Sequence, residues 1–196
     1  MSYAAKAARL SAALAVAADD RGAAFGLAKR TSNLFRDRRR ARPRLDLSGF
    51  DEVIGVDAAR GVVEVEGMAT YERIAAATLA QGAMPLVVPL LKSITAGGAL
   101  AGVGIEATSF RHGLVHDTVA AFDVLTGDVR IVACTPDGEH RDLFHGFANS
   151  YGTLCYALRV VLRTQPVRRY VGVEHARFSD PARAFADLAA RCDDPD

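Results

Sequence analysis

Apolar positions along the chain recur at two spacings, and the switches between them mark out the elements. Residues 4–18 are alanine-rich with Leu10 and Leu14 four apart, which predicts a helix. Residues 24–29 read as a short strand entering a basic, proline-containing loop over 30–44. Residues 51–67 read as a β-hairpin with Val53, Ile54 and Val56 on one arm, a turn over 57–61, and Val62, Val63 and Val65 on the other. Thr70 is placed to cap a helix reaching Ala80, with Ile74, Ala77 and Leu79 toward a core and Gly82 ending it.

The second half repeats these signals. Residues 93–104 are a run of small residues, and 109–117 hold two histidines. Val119–Leu125 and Val129–Cys134 predict a hairpin around Thr126, Gly127 and Asp128. Residues 142–148 predict a short helix. Residues 154–163 predict a strand with Leu154, Tyr156, Leu158, Val160 and Leu162 on one face. Residues 170–175 extend again, and Asp180 followed by Pro181 is a helix start, with Phe185, Leu188, Ala189 and Cys192 behind it. The fold class is therefore α+β. Residues 1–88 form the N-terminal helix and a first small unit, 89–175 a second, and 176–196 the opening of a third.

Composition narrows the function classes. The 196 residues are 50% hydrophobic and 24% charged, which excludes disorder along the whole chain. The longest apolar stretch, 75–91, is broken by Gln81, Gly82, Pro85 and Pro89, so no membrane-spanning helix is expected. Asp19 and Asp20 interrupt the N-terminal segment where a secretory signal would need its apolar core, which points to the cytoplasm. Three widely spaced cysteines without a C-x-x-C pair indicate neither a disulfide framework nor a cysteine-based zinc site. The formal net charge of +1 conceals eight basic residues and one acid between Lys29 and Arg44. A nucleic-acid module could use that stretch, but Phe35 is its one aromatic and tryptophan is absent from the chain, so bases find no stacking platform.

The run from Thr95 to Ala107 carries the most chemistry. Its glycines let backbone approach a ligand closely and turn N–H groups to anionic oxygens. Gly102-x-Gly104-x-x-Ala107 matches the dinucleotide fingerprint only formally, because no βαβ unit surrounds it; Asp123 stands at ribose-acid spacing by coincidence. Another cofactor-cradling loop and tight structural packing both remain open. Lys29–Arg36 carries hydroxyl, amide and guanidinium donors suited to a pyrophosphate, or is a solvated basic loop. His112 and His116, four apart, could share a helix face, but no glutamate completes a zinc-protease motif and Gly113 weakens the helix; no metal is expected.

The sequence Thr95-Ala-Gly-Gly-Ala-Leu-Ala-Gly-Val-Gly-Ile-Glu-Ala-Thr-Ser-Phe-Arg-His-Gly-Leu resembles the flavin-binding segment of the delta(24)-sterol reductase (diminuto/seladin) family. Those proteins are FAD-linked oxidoreductases of the vanillyl-alcohol-oxidase (PCMH) type. The resemblance continues through Cys134-Thr-Pro, Asp142-Leu-Phe and Ser150-Tyr-Gly-Thr-Leu154, and covers roughly residues 25–175.

The resemblance implies two α+β subdomains with FAD between them. It would put Arg30, Thr31, Ser32 and Asn33 at the pyrophosphate. Thr95, Gly97, Gly98, Gly102, Gly104, Ile105 and Glu106 would line the diphosphate and ring, with Ser109, His112 and Gly113 continuing that wall. Gly152, Thr153 and Leu154 would approach the adenine side. Relatives often tether FAD to a histidine in the first loop or a cysteine in the second; Lys29–Arg36 has no histidine and no cysteine precedes Cys134, so FAD is expected to be non-covalent. The implied reaction moves a hydride between a small organic substrate, an alcohol or a sterol-like alkene, and flavin. Catalytic residues are not identified; Lys92, Arg111 and His112 are candidate donors to a reduced flavin. The family's substrate-covering cap would begin near Asp180, so this chain is expected to be an incomplete enzyme, a fragment binding FAD without turnover, or one that takes the missing wall from a partner chain.

Overall fold

The strand pattern closes into one antiparallel sheet in a computed structural model, which describes residues 1–17, 26–28 and 44–192. Its strands are β3 (Val53–Asp57), β4 (Val62–Glu66), β5 (Ala83–Pro85), β6 (Val119–Thr126), β7 (Ile131–Cys134) and β8 (Cys155–Pro166). They lie in the order β3-β4-β8-β6-β7, with β5 pairing the far end of β8. A separate parallel pair joins β1 (Gly26–Leu27) to β2 (Arg44–Leu45). The helices are α1 (Tyr3–Ala17), α2 (Tyr71–Leu79), α3 (Ala96–Ala101), α4 (Ser109–His112), α5 (Arg141–Gly146) and α6 (Pro181–Cys192), with a 3₁₀ turn at Val115–Thr118. Mixed helix and sheet agree with the α+β expectation.

Both predicted hairpins form. The first turns on Gly61 at φ +64, with the Asp57 carboxylate accepting the Arg60 N–H at 2.9 Å. α2 also starts as expected, the Thr70 hydroxyl accepting the Arg73 N–H at 3.4 Å. Its inner face differs. Tyr71, Ile74 and Thr78 are buried while Leu79 is exposed, because Thr78 satisfies its hydroxyl locally by donating to the Ile74 carbonyl at 3.0 Å.

β8 departs from simple alternation. Asp123 stands opposite Arg159 but Val124 stands opposite Ala157, so Leu158 is an extra residue on the β8 side. This bulge flips the parity. Val160 and Leu162 enter the core beneath α2 and α3 with Ala157 and Cys155, whereas Leu158 and Tyr156 belong with Leu14, Leu45, Leu47, Phe50 and Leu125 beneath α1. The expected single face from Leu154 to Leu162 is thus divided between both sides of the sheet, and Leu154 lies exposed before the strand begins.

α1 is fastened by polar contacts as well as by Leu10 and Leu14. The Tyr3 hydroxyl donates to Asp123 at 2.7 Å, and Lys6 pairs with the buried Glu66 at 2.7 Å. Asp123 is therefore held by Arg159 and Tyr3, in keeping with its spacing as a ribose acid being coincidental.

Three further expectations meet a different structure. The small-residue run, open in sequence between a cofactor loop and tight packing, contains the helix α3 packed on the sheet. β5, which includes Pro85 at its end, was not read as a strand. Residues 170–175 form no strand, and Tyr170, Val171 and Val173 are exposed. α6 does form, the Asp180 carboxylate accepting the Ala182 N–H at 3.0 Å, and its Phe185 and Leu188 are exposed.

Candidate cofactor-binding site

Thr95 opens α3 with its hydroxyl accepting the Gly98 N–H at 3.3 Å. The Ala96 N–H donates to the Ala69 carbonyl at 2.9 Å, and the Gly97 N–H to the Gly67 carbonyl at 2.8 Å. All three leading N–H groups are thereby engaged within the protein, so the expectation that this run offers them to anionic oxygens does not hold at 96–98. A Cβ on Gly97 would lie 3.0 Å from the Gly67 carbonyl oxygen and 3.2 Å from the Ala157 Cβ, which explains glycine there by helix-to-sheet packing. Gly98, one position on, is exposed.

The segment after α3 is held just as closely. A Cβ on Gly102 would lie 2.8 Å from the Gly98 carbonyl oxygen, and one on Gly104 would lie 2.9 Å from Val115. Between them Val103 adopts φ +55, a conformation foreign to β-branched residues. The Gly104 N–H reaches the Ala99 carbonyl at 3.1 Å, and its own carbonyl accepts the Val115 N–H at 2.9 Å. Ile105 emerges from this clasp 72% exposed.

Residues 106–113 turn back through reciprocal bonds. Ser109 accepts the Glu106 N–H on its hydroxyl at 2.9 Å and returns its own N–H to the Glu106 carbonyl at 2.9 Å. Thr108 donates its hydroxyl to the Leu86 carbonyl at 2.7 Å. α4 then presents exposed Phe110 and Arg111 beside half-buried His112, with the Arg111 guanidinium 5.5 Å from the Phe110 ring. Gly113 at φ +75 ends that helix, so His112 lies in α4 and His116 in the 3₁₀ turn; the two share no helix face.

The third predicted segment meets the first. The Tyr151 N–H donates to the Ala101 carbonyl at 3.1 Å, bringing residues 149–152 against the end of α3. Asn149 at φ +63, Tyr151 at +50 and Gly152 at +80 all lie in the left-handed region. Gly152, Thr153 and Leu154 face elsewhere as well, lining a cavity of about 210 Å³ with Leu14, Leu45 and Leu125. Arg30, Thr31, Ser32 and Asn33 lie outside the described residues.

Two buried groups escaped sequence reasoning. The Tyr71 phenol is buried with no hydrogen-bond partner for its hydroxyl among the described residues, and burial with the nearby Glu106 charge drives its pKa upward. The Ser150 hydroxyl is likewise buried and unpartnered. A tyrosine following a helix cap and a serine before Tyr151 read only as core and turn, so the sequence offered no signal for either.

These residues fit a cofactor with an apolar ring system and an anionic portion. Strained backbone at Val103, Asn149 and Tyr151 converges on one junction, as at ligand clamps. Exposed Ile105 and Phe110 supply apolar surface, and Arg111 supplies a cation.

Comparison with known proteins agrees with this chemistry. A family model described as an FAD binding domain matches residues 2–135. Delta(24)-sterol reductase of Pisum sativum is 32% identical over 159 residues, which cover 79% of this chain and 28% of that protein. The Homo sapiens delta(24)-sterol reductase is 31% identical over 71% of this chain and 26% of its own length. Cytokinin dehydrogenase 1 of Oryza sativa subsp. japonica is 30% identical over 64% of this chain and 24% of its own length. The chain spans about a quarter of the length of the curated relatives it matches.

Proposed function

The chain belongs to the FAD binding domain family, with FAD as its cofactor and delta(24)-sterol reductases among its relatives, and we propose that it is the FAD-binding portion of a flavin-dependent oxidoreductase. The observation carrying this reading is the junction at which the strained Val103 loop meets the strained 149–152 segment through the Tyr151–Ala101 hydrogen bond. Bound FAD would supply hydride transfer to or from an organic alcohol or sterol-like alkene. Gly98, Ile105 and Glu106 would lie along the cofactor, with Ser109, His112 and Gly113 beyond them. Arg111 and His112 would stabilise the charge of a reduced flavin. Lys92, the third candidate, is committed to Glu72 at 2.5 Å. The cofactor would lie untethered beside α3 and the 149–154 segment, since β4 and β5 pair with β8 and join the 1–88 and 89–175 stretches in one sheet; residues from 176 would lead toward a substrate-covering cap in a cytoplasmic protein.

A second reading, FAD binding without turnover by this chain alone, draws support from α6, whose Phe185 and Leu188 are exposed. Purified protein is expected to be yellow and to release flavin on heat or acid precipitation. Colourless protein that ignores added FAD would overturn the flavin assignment. Gly98→Val should abolish flavin binding with the circular dichroism spectrum retained, because this glycine is exposed. Gly104→Val is a poorer probe, since it strikes Val115 with or without a cofactor. Bleaching of bound flavin by a reduced nicotinamide or a candidate alcohol separates turnover from binding alone.

A further inference from the structure

A second cavity, of about 350 Å³, is lined by none of the residues assigned to the cofactor. It opens among the 3₁₀ turn, β6, α5 and the outer end of β8, and its volume lies at the lower end of small-molecule pockets, ~300–1,000 Å³. Its apolar lining includes Val119, Phe122 and Phe144, the two rings stacked with centroids 5.2 Å apart and planes 12° from parallel. His116, Asp117, His145 and Arg163 supply the polar lining.

The two fixed charges of this lining, Asp117 and Arg163, form no ion pair with each other. Asp117 is engaged: one carboxylate oxygen accepts the Leu114 N–H at 2.7 Å and the other lies 3.5 Å from the His116 Nε2. The His116 Nδ1 is sealed from solvent without a partner among the described residues. Arg163 is exposed and forms no ion pair among the described residues, although neighbouring arginines such as Arg159 are fully occupied. His145 stands edge-on to Phe144 at 5.3 Å. A guanidinium without an ion pair among the described residues, beside two imidazoles and a pair of stacked rings, suits an anion with an apolar body. A guanidinium meets a carboxylate through two parallel hydrogen bonds, and aromatic walls favour a flat ring. A bare phosphate would lose hydration against Val119, Phe122 and Phe144 with one fixed cation to compensate.

We propose that this cavity binds a small aromatic carboxylate, its ring against Phe144 and Val119 and its carboxylate on Arg163 with a histidine beside it. The assignment is independent of the flavin reading. Benzoate titrated into the purified protein, with and without added FAD, tests it by calorimetry and by the imidazole C–H resonances of His116 and His145. Saturable binding with a Kd of about 1 mM or tighter is expected, unchanged by FAD. Benzyl alcohol and inorganic phosphate should each bind at least about tenfold more weakly, and Arg163→Gln should weaken benzoate about tenfold with the thermal melt unchanged. Absence of saturation by about 10 mM, phosphate binding as well as benzoate, or undiminished benzoate binding by Arg163→Gln would each overturn the proposal.

Discussion

Arg159 grips Asp123 through two parallel hydrogen bonds, Nε to Oδ2 at 2.9 Å and Nη2 to Oδ1 at 3.0 Å. The same guanidinium reaches Glu64 at 2.5 Å, and its hydrogen bonding to Asp123 leads the influences raising its pKa. Removing the Asp123 charge from this half-buried cluster leaves the Arg159 guanidinium with Glu64 alone and costs it its two-point partner. Asp123→Asn is expected to lower unfolding free energy by about 2 kcal/mol, read by urea denaturation. The double change Asp123→Leu with Arg159→Met should recover at least half of that loss. A double variant as unstable as the sum of its parts would contradict this.

Alkaline pH should loosen the fold through two phenols. Burial raises the pKa of Tyr3, helped by its hydrogen bond to Asp123, and burial also raises that of Tyr71. A tyrosine whose pKa is higher folded than unfolded stabilises fully below the unfolded value of about 10 and loses that contribution as pH rises above it. Stability should fall above about pH 10 by ~1.4 kcal/mol per pH unit for each phenol. Tyr71→Phe removes one such contribution together with an unpartnered buried hydroxyl, so at neutral pH it should be neutral or stabilising by about 1 kcal/mol. Parallel thermal melts of the two proteins across pH 7–11 check both statements, the pH span being about one unit past the ordinary phenol value.

Gly67 is expected to tolerate no side chain. A Cβ there would lie 2.0 Å from the Ala157 carbonyl oxygen, a backbone atom fixed in β8. Gly67→Ala should cost about 3 kcal/mol, whereas Gly49→Ala, with open space around it, should change stability by less than about 0.5 kcal/mol. Chemical denaturation curves with equal slopes would establish the difference.

The three thiols should divide by reactivity. Burial pushes Cys134 up to about 11 and Cys155 up to about 12, while Cys192 is half-buried near the end of α6. Native protein near neutral pH should take up about one equivalent of a thiol reagent quickly, at Cys192, and all three after denaturation. Rapid labelling of a Cys192→Ser variant would count against the burial of the sheet cysteines.

Much of this architecture was legible because local signals and the sheet agree. Thr70, Gly61 and Asp180 act where their chemistry predicts, and both hairpins follow from alternation bounded by turn residues. The bulge at Leu158 was not legible, because apolar residues occupy both parities on either side of Arg159 and do not record where the parity changes. α3 escaped for a related reason: Gly97 and Gly98 read as loop residues, yet packing against Gly67 and Ala157 holds them in a helix. For the candidate site, the motif run did not disclose its bonding, since the carbonyls that occupy the Ala96 and Gly97 N–H groups lie some thirty residues earlier.

β8 has a consequence for the order in which the molecule can assemble. Lying between β4 and β6 and also pairing β5, it is the strand on which every other part of the large sheet depends. A chain emerging from the ribosome holds two separate hairpins until residues 155–166 are made, and pairing β4 with β8 must close a loop of nearly ninety residues. Such distant pairing is slow compared with helix or hairpin formation. Nascent chains halted before β8 should therefore present unpaired edges at β4 and β6, and protease resistance should appear abruptly once that strand has cleared the exit tunnel.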